Sequence, residues 1–359
     1  MTDKDTLIEI NSLKTYFYLR EGVVRAVDGV NFAIKRGKTL GVVGESGCGK
    51  SVTARSIMRL VEHPGRIVEG EILYHRLTSD NSEQSVETLD LAKVSPRGRT
   101  IRNIRGSEIA MVFQDPMTSF SPVHTIGEQV AEAIRLHQGL DPKEALERAV
   151  ESLRNVGMPT PGRVVRNYPH QLSGGMRQRA MIAMALSCNP SLLIADEPTT
   201  ALDVTTEAQI LELMQEMKDT YGMALMFITH DLGVIAEMAD EVVVMYLGKV
   251  MEQADVVSLY QDPKHPYTRA LMRSIPRVDA DVDGHLEVIK GSVPDPYSIP
   301  SGCPFHTRCR YFMDGICNVK DPPYVTLDGN RKVYCHLFGE ESMSAAEAYS
   351  MTRPERETA

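Results

Sequence analysis

The stretch LGVVGESGCGKS, residues 40–51, decides the fold. Leu40 to Val43 is a short apolar run of the kind found in strands covered on both faces. Gly44, Glu45, Ser46, Gly47, Cys48, Gly49, Lys50 and Ser51 follow. Val52 then opens VTARSIMRLV, whose apolar residues have helical spacing and which ends before Pro64-Gly65. Gly44-x4-Gly49-Lys50-Ser51 is a phosphate-loop pattern. Its glycines let backbone N–H groups converge on a β-phosphate, Lys50 reaches the β/γ oxygens, and Ser51 offers a hydroxyl to Mg²⁺. The helix N-terminus adds positive partial charge.

A second glycine-rich turn, LSGGMRQR at residues 172–179, opens another helical stretch with Ser173 as its N-cap. Free N–H groups at Ser173, Gly174 and Gly175 make a second anion-binding end. Further apolar runs end in chemistry-bearing residues. LLIAD (192–196) leads to Asp196-Glu197, ALMFITH (224–230) ends at His230, and EIAMVFQ (108–114) ends at Gln114. An aspartate at a strand end can hold a metal shell, and the glutamate beside it can orient or deprotonate water. Taken singly these residues are weak signals, because acidic residues and histidines end many strands.

Around these motifs the spacing predicts strands in LIEINSLKTYFYL and two more about a turn at Arg36-Gly37-Lys38. TSDNSEQSVE (78–87) reads as a solvated loop, and DPMTSFSPVHT as turns. Helices are expected over 126–138, over 141–156, and in EAQILELMQEMKDTYG; EVVVMYLGKVMEQ reads as a hairpin turning at Gly248-Lys249. Prolines multiply after Ser258, which places a boundary there. The chain divides into 1–258 (with a helical part at about 115–190), an extension at 259–340 and a tail at 341–359.

The 359 residues carry a net charge of −9 and are 42% apolar, enough for a core and with no general pull toward nucleic acid or anionic lipid. The polar, acidic start is unlike a signal peptide, and no apolar run is long enough to span a membrane, so the expected location is the cytosol. Cys303, Cys309, Cys317 and Cys335 cluster late in the chain. In a reducing compartment four clustered thiols suggest metal before disulfide. They suit zinc or a [4Fe–4S] cluster, and the lack of close C-x2-C pairs favours iron–sulfur; an unmetallated or disulfide-bonded site is the other alternative. His306 and His336 read as solvated surface histidines rather than further ligands.

The order of phosphate loop, Gln114, Leu172–Gln178, Leu192–Glu197, Ala201-Leu202-Asp203 and His230 resembles the ATP-binding subunit of an ABC transporter, over about residues 7–258. The Ser-Gly-Gly signature is highly specific. HPYTRALMRSIPR (265–277), GSVPDP (291–296) and the cysteine segment resemble the C-terminal extension of oligopeptide and dipeptide importer ATPases.

The resemblance implies an α/β fold: a phosphate-loop ATPase with a RecA-like core, an antiparallel β subdomain, a helical signature subdomain and a small cysteine-rich extension. It implies ATP and Mg²⁺ as ligands, with Ser51, Gln114 and Asp196 at the metal, Glu197 as catalytic base and His230 at the γ-phosphate. Ser173, Gly174, Gly175, Met176 and Gln178 would face the nucleotide of a partner subunit, and Asp203 would link the two sites across a head-to-tail dimer. Tyr16 or Phe17 would stack on adenine. Met176 stands where glutamine is usual, as in some peptide importers, and Cys48 where serine is frequent. Members of the group can carry a [4Fe–4S] cluster on the four cysteines. Implied partners are a paralogous ATPase, two membrane permeases and, indirectly, a solute-binding protein, at the cytoplasmic face of the inner membrane. The alternatives are an importer of nickel, glutathione or oligosaccharide, and a soluble ABC ATPase of repair or translation. A phosphate-loop kinase or GTPase leaves LSGGMRQR without a role.

Overall fold

The computed structural model describes residues 4–80, 83–115, 119–200, 202–274 and 289–339. Ala201, the tail 341–359, residues 116–118 of the expected turn and 275–277 of the extension motif lie outside them. Among the described residues two sheets carry the fold. The first joins β1 (Thr6–Tyr18), β2 (Val23–Lys35), β4 (Gly65–Asp80) and β5 (Glu83–Asp90), all antiparallel, in the order β2-β1-β4-β5. The second is mixed.

Five strands of the second sheet are parallel: β6 (Ile109–Val112), β7 (Leu192–Asp196), β8 (Ala224–Ile228), β3 (Thr39–Val43) and β9 (Glu241–Tyr246), neighbours in that order. β10 (Lys249–Asp255), β12 (Arg331–Tyr334) and β11 (Tyr324–Leu327) continue it antiparallel. All residues of β3, β6, β7 and β8 are buried. Their alternate side chains enter two different cores. Leu193, Ala195, Leu225 and Phe227 join the larger one, which contains the helices; Leu192, Ile194, Met226 and Ile228 pack against the antiparallel sheet and the helix after the phosphate loop. Burial on both faces explains why these strands read as unbroken apolar runs.

The helices are α1 (Lys50–Ile57), α2 (Arg99–Ile104), α3 (Ile126–Gln138), α4 (Pro142–Asn155), α5 (Pro161–Val164), α6 (Gly174–Leu186), α7 (Val204–Tyr221), α8 (Leu232–Met238), α9 (Val256–Gln261) and α10 (Pro266–Arg273). Their ends follow local chemistry. Thr125 and Glu128 form a capping box at α3, which stops at Gly139 in the left-handed region (φ 68°). Asp141 caps α4 ahead of Pro142.

One expectation differs from the structure. Apart from 81 and 82, which lie outside the described residues, the stretch 78–87 is strand and not loop: β4 and β5 pair in register from Leu73↔Asp90 to Asp80↔Glu83. It sits on an edge strand and its partner, where polar side chains need no alternation. The chain beyond Ser258 also forms strands, and β12 and β11 add to the same sheet as the phosphate-loop strand. Arg331 of β12 donates to Glu252 Oε1 of β10 at 2.7 and 3.0 Å, with the glutamate fully buried.

Candidate functional site

Because β6, β7, β8 and β3 are neighbours and parallel, their C-terminal ends form one edge. That edge is where open α/β sheets hold ligands. It gathers Gln114, Asp196-Glu197, His230 and the phosphate loop.

The loop is built for close approach. A Cβ on Gly44 would lie 2.2 Å from Met245 O, and one on Gly49 2.1 Å from Ala26 O; both glycines have positive φ (153° and 104°). Only glycine fits either position. Lys50 is 5% exposed, and its ammonium donates to Gly44 O at 2.8 Å and Glu45 O at 3.3 Å, curled over the loop. The Cys48 thiol is buried and pushed up to about 11 by desolvation, so it is an inert packing group; its carbonyl accepts from Gly248 N at 2.9 Å.

Ser51 Oγ donates to Asp196 Oδ1 at 2.7 Å. Asp196 is 3% exposed, and burial pushes its carboxyl upward, partly opposed by the Ser51 hydrogen bond. A desolvated carboxylate paired with a hydroxyl at the mouth of an anion cradle fits a small hard cation.

Glu197 sits in the left-handed region (φ 48°), and its backbone N–H donates to Ile228 O at 2.9 Å. For a glutamate this conformation costs roughly 1 kcal/mol or more and is found where a side chain must be aimed. Its Oε2 accepts from Gln114 Nε2 at 3.0 Å and Thr200 Oγ1 at 3.2 Å, with His230 Nδ1 at 3.6 Å. The His230 side chain is 65% exposed and free to turn toward a ligand. Thr200 belongs to none of the motifs above; its signal in the sequence is its place three residues after the glutamate.

On the helical side Ser173 Oγ accepts from Met176 N at 3.3 Å and caps α6. Gly174 and Gly175 open that helix beside the start of α7, and a Cβ on Gly175 would lie 2.7 Å from Thr206 Cγ2. Asp203 caps α7, accepting from Thr206 N at 3.0 Å and Thr206 Oγ1 at 2.8 Å, and these bonds hold its carboxyl below the usual range. Met176 packs partly against the core. Gln178 corrects the expectation that it faces a nucleotide. It is 1% exposed and turned into the protein, and its amide atoms have no hydrogen-bond partner among the described residues.

Tyr16 and Phe17 alternate across β1. Phe17 packs on Gly65, where a Cβ would lie 2.5 Å from its ring. Tyr16 points the other way and donates to Asp28 Oδ1 at 2.6 Å. The backbone N–H of Asp28 in turn bonds Gly248 O at 2.8 Å, beside the loop.

The thiols of Cys303, Cys309, Cys317 and Cys335 are free and line one small apolar cavity with His306 and His336. Burial pushes Cys303 up to about 12 and Cys309 up to about 11, and Cys335 well above its usual value, with the neighbouring thiols adding to the rise. Among the described residues no group of three or more histidine, cysteine or acidic side chains is arranged to hold a metal ion. His336 is not a solvated surface histidine: it is buried and its Nε2 lies 2.9 Å from Lys320 O, whereas His306 is half-buried with its Nδ1 2.8 Å from Cys303 O.

The phosphate loop, the acidic pair and the Ser-Gly-Gly helix end define an ABC-type ATPase. The chain matches the ABC transporter family over residues 27–200 and the C-terminal region of oligopeptide/dipeptide transporters over 251–317. It is 49% identical over 337 residues to the oligopeptide transport ATP-binding protein AppD of Bacillus subtilis, covering 94% of this chain and 98% of that one. It is 44% identical over 330 residues to the dipeptide transport ATP-binding protein DppD of Escherichia coli, covering 92% and 96%. Among solved structures, the dimeric post-hydrolysis state of the ATP-binding cassette MJ0796 bound to ADP and Pi superposes with a TM-score of 0.59 at 26% identity, over 70% of this chain and 99% of that one. The protein belongs to the family of ABC transporter ATP-binding subunits, in its oligopeptide/dipeptide branch.

Proposed function

We propose that this ATPase powers uptake of peptides through a membrane permease, with Glu197 as the base for ATP hydrolysis. The observation that carries the catalytic reading is the placement of Glu197: a left-handed backbone and bonds from Gln114 and Thr200 fix its carboxylate directly after Asp196, which accepts from Ser51 of the phosphate loop. Lys50 and the loop amides hold the β/γ-phosphates. Glu197 takes the proton of the attacking water and His230 turns in to the γ-phosphate. Mg²⁺, held by Ser51 and Asp196 with Gln114 alongside, would neutralise charge on the phosphate oxygens. Tyr16 or Phe17 stacks on adenine; the hydrogen bonds that run from Tyr16 through Asp28 and Gly248 to Cys48 O of the loop favour Tyr16.

Ser173, Gly174 and Gly175 close the neighbouring subunit's site in a head-to-tail pair, with Asp203 at the seam between the sites. The neighbour is a paralogous subunit. The helical region at about 115–190, which holds α3 to α6, is the signature subdomain. Phe113, beside Gln114, and Val123, just ahead of α3, are both exposed, which suits docking of permease subunits at the cytoplasmic face of the membrane. An external solute-binding protein completes the assembly. No helix among the described residues is long and apolar enough to cross a membrane. The peptide substrate rests on the names of AppD and DppD.

The four free thiols of the extension suit a [4Fe–4S] cluster, which would bring iron charge to offset four thiolates and cross-link Cys303, Cys309, Cys317 and Cys335. A cluster spreads its ligands over several iron atoms, so the thiols need not converge on one ion as zinc requires.

The test is purification of the tagged chain in mild detergent, as wild type and Glu197→Gln. Permease subunits should copurify. The variant should hold ATP in a stable dimer and hydrolyse it about 10²-fold or more slowly. Normal turnover by Glu197→Gln removes the base assignment, and ribosomes or DNA in place of permeases removes the transport reading.

A further inference from the structure

The extension reaches back to the nucleotide loop. Arg308, one residue before Cys309, spreads its guanidinium across the carboxylate of Glu45, the second residue of the phosphate loop. Nη1 donates to Oε2 at 2.7 Å and Nη2 to Oε1 at 3.0 Å, although the residues are 263 positions apart. The Arg308 side chain is 4% exposed and that of Glu45 25%. Arg308 Nη1 also donates to Tyr246 OH at 3.3 Å, and its Nε to Lys290 O at 3.3 Å. Tyr246, Tyr267 and Phe305 pack as an aromatic cluster with centroids 4.7–5.4 Å apart. Tyr267 OH accepts the backbone N–H of Glu45 at 3.0 Å. Glu45 is therefore held at three points: its amide by Tyr267, its carboxylate by Arg308 and its carbonyl by Lys50 at 3.3 Å.

A carboxylate in a loop that cradles a polyanion is a like charge beside the ligand. Left unpaired it repels the phosphates, and its flexible side chain can fall into the cradle. A buried bidentate guanidinium removes most of that charge and fixes its direction, which a lysine cannot do equally well. We propose that Arg308 is a positioning residue of the ATP site, supplied in the same chain by the C-terminal extension: it neutralises Glu45, turns it away from the phosphates and keeps the loop open for nucleotide. ATP affinity then depends on the extension being seated. This rests on the assignment of Gly44–Ser51 as the ATP phosphate loop.

The test uses the full chain with Arg308→Ala, Arg308→Lys, Glu45→Gln and the Arg308→Ala/Glu45→Gln pair, read by titration with a fluorescent ATP analogue and by ATPase kinetics. Loss of one charged bidentate contact corresponds to about tenfold. Arg308→Ala should raise KM for ATP by about that factor with kcat nearly unchanged, and Arg308→Lys should fall between it and the wild type. The double variant should recover most of the loss, since no charge then needs neutralising. An equal free-thiol titre and melting temperature in Arg308→Ala separate this from collapse of the cysteine segment.

A wild-type KM in Arg308→Ala, a fall confined to kcat, or a double variant as weak as Arg308→Ala overturns the proposal. So does a lowered melting temperature that accounts for the loss. Lys50→Ala is the control for the assignment beneath it: normal ATP binding there would remove the phosphate-loop reading itself, whatever Arg308 does.

Discussion

Gln114 Nε2 donates to Glu197 Oε2 at 3.0 Å across 83 residues of sequence, because the strands that end just before each residue are neighbours in one parallel sheet. Thr200 shares the same carboxylate oxygen. The orientation of the proposed base is thus set by two donors from separate segments.

Removing one of them should cost turnover rather than binding. Gln114→Ala leaves Glu197 charged but less well aimed. Its ATPase kcat should drop roughly tenfold or more while nucleotide affinity measured without Mg²⁺ stays near wild type, since misplacement acts on the chemical step. Equilibrium binding and steady-state kinetics on the same preparation check this. An unchanged kcat would show that Thr200 alone suffices.

Asp196 should trade stability for function. Burial raises its pKa in the folded state, so the protonated form is favoured there. The sign follows: its contribution is most favourable at low pH and is lost as pH rises through the raised folded value. Asp196→Asn removes that loss and keeps an acceptor for Ser51. The nucleotide-free variant should melt higher than wild type at neutral pH, with the difference vanishing in acid, and should not hydrolyse ATP. Thermal melts across pH, without Mg²⁺, decide it.

Gly175 abuts Thr206 so closely that a Cβ would sit 2.7 Å from the threonine methyl. Gly175→Ala should push the start of α6 from α7, leave ATP binding by Lys50 intact and weaken ATP-dependent pairing of subunits. Thr206→Ser keeps the hydroxyl that bonds Asp203 and deletes only the methyl. Adding it should restore pairing to Gly175→Ala, as measured by sedimentation with ATP; failure of that rescue would place the defect elsewhere.

Arg331 holds the extension's strand to β10. Arg331→Ala leaves Glu252 charged and fully buried, so unfolding free energy in urea should fall by about 3–5 kcal/mol. Replacing both residues with apolar partners, Arg331→Met with Glu252→Leu, should cost less than the single change.

Much of this protein was legible locally. Gly44–Ser51 after an apolar run, the capped helix over Ile126–Gln138, Ser173 ahead of its helix and the strand Leu192–Asp196 all depend on short-range effects: which side chains bury, which oxygen caps a free N–H, where only glycine fits. The resemblance added the proposed roles of Glu197, His230 and the Ser-Gly-Gly end. The polar strand ends at 78–80 and 83–87 were not legible, because an edge strand solvated on its faces lacks the alternation that marks a strand. Nor was the inward turn of Gln178, which depends on which face of its helix meets the core.

The sequence by itself determined the parts: a loop that can only cradle an anion, a second helix end of the same kind, and strands that must be covered on both sides. Tertiary structure alone decided which strands lie side by side, and so that Gln114 meets Glu197, that β11 and β12 extend the catalytic sheet, and that Arg308 lies on Glu45. The physical reason is separation along the chain. Contacts between residues 83 or 263 positions apart form only when burial of the whole core offsets the entropy of bringing them together, and no local pattern records which partner is chosen.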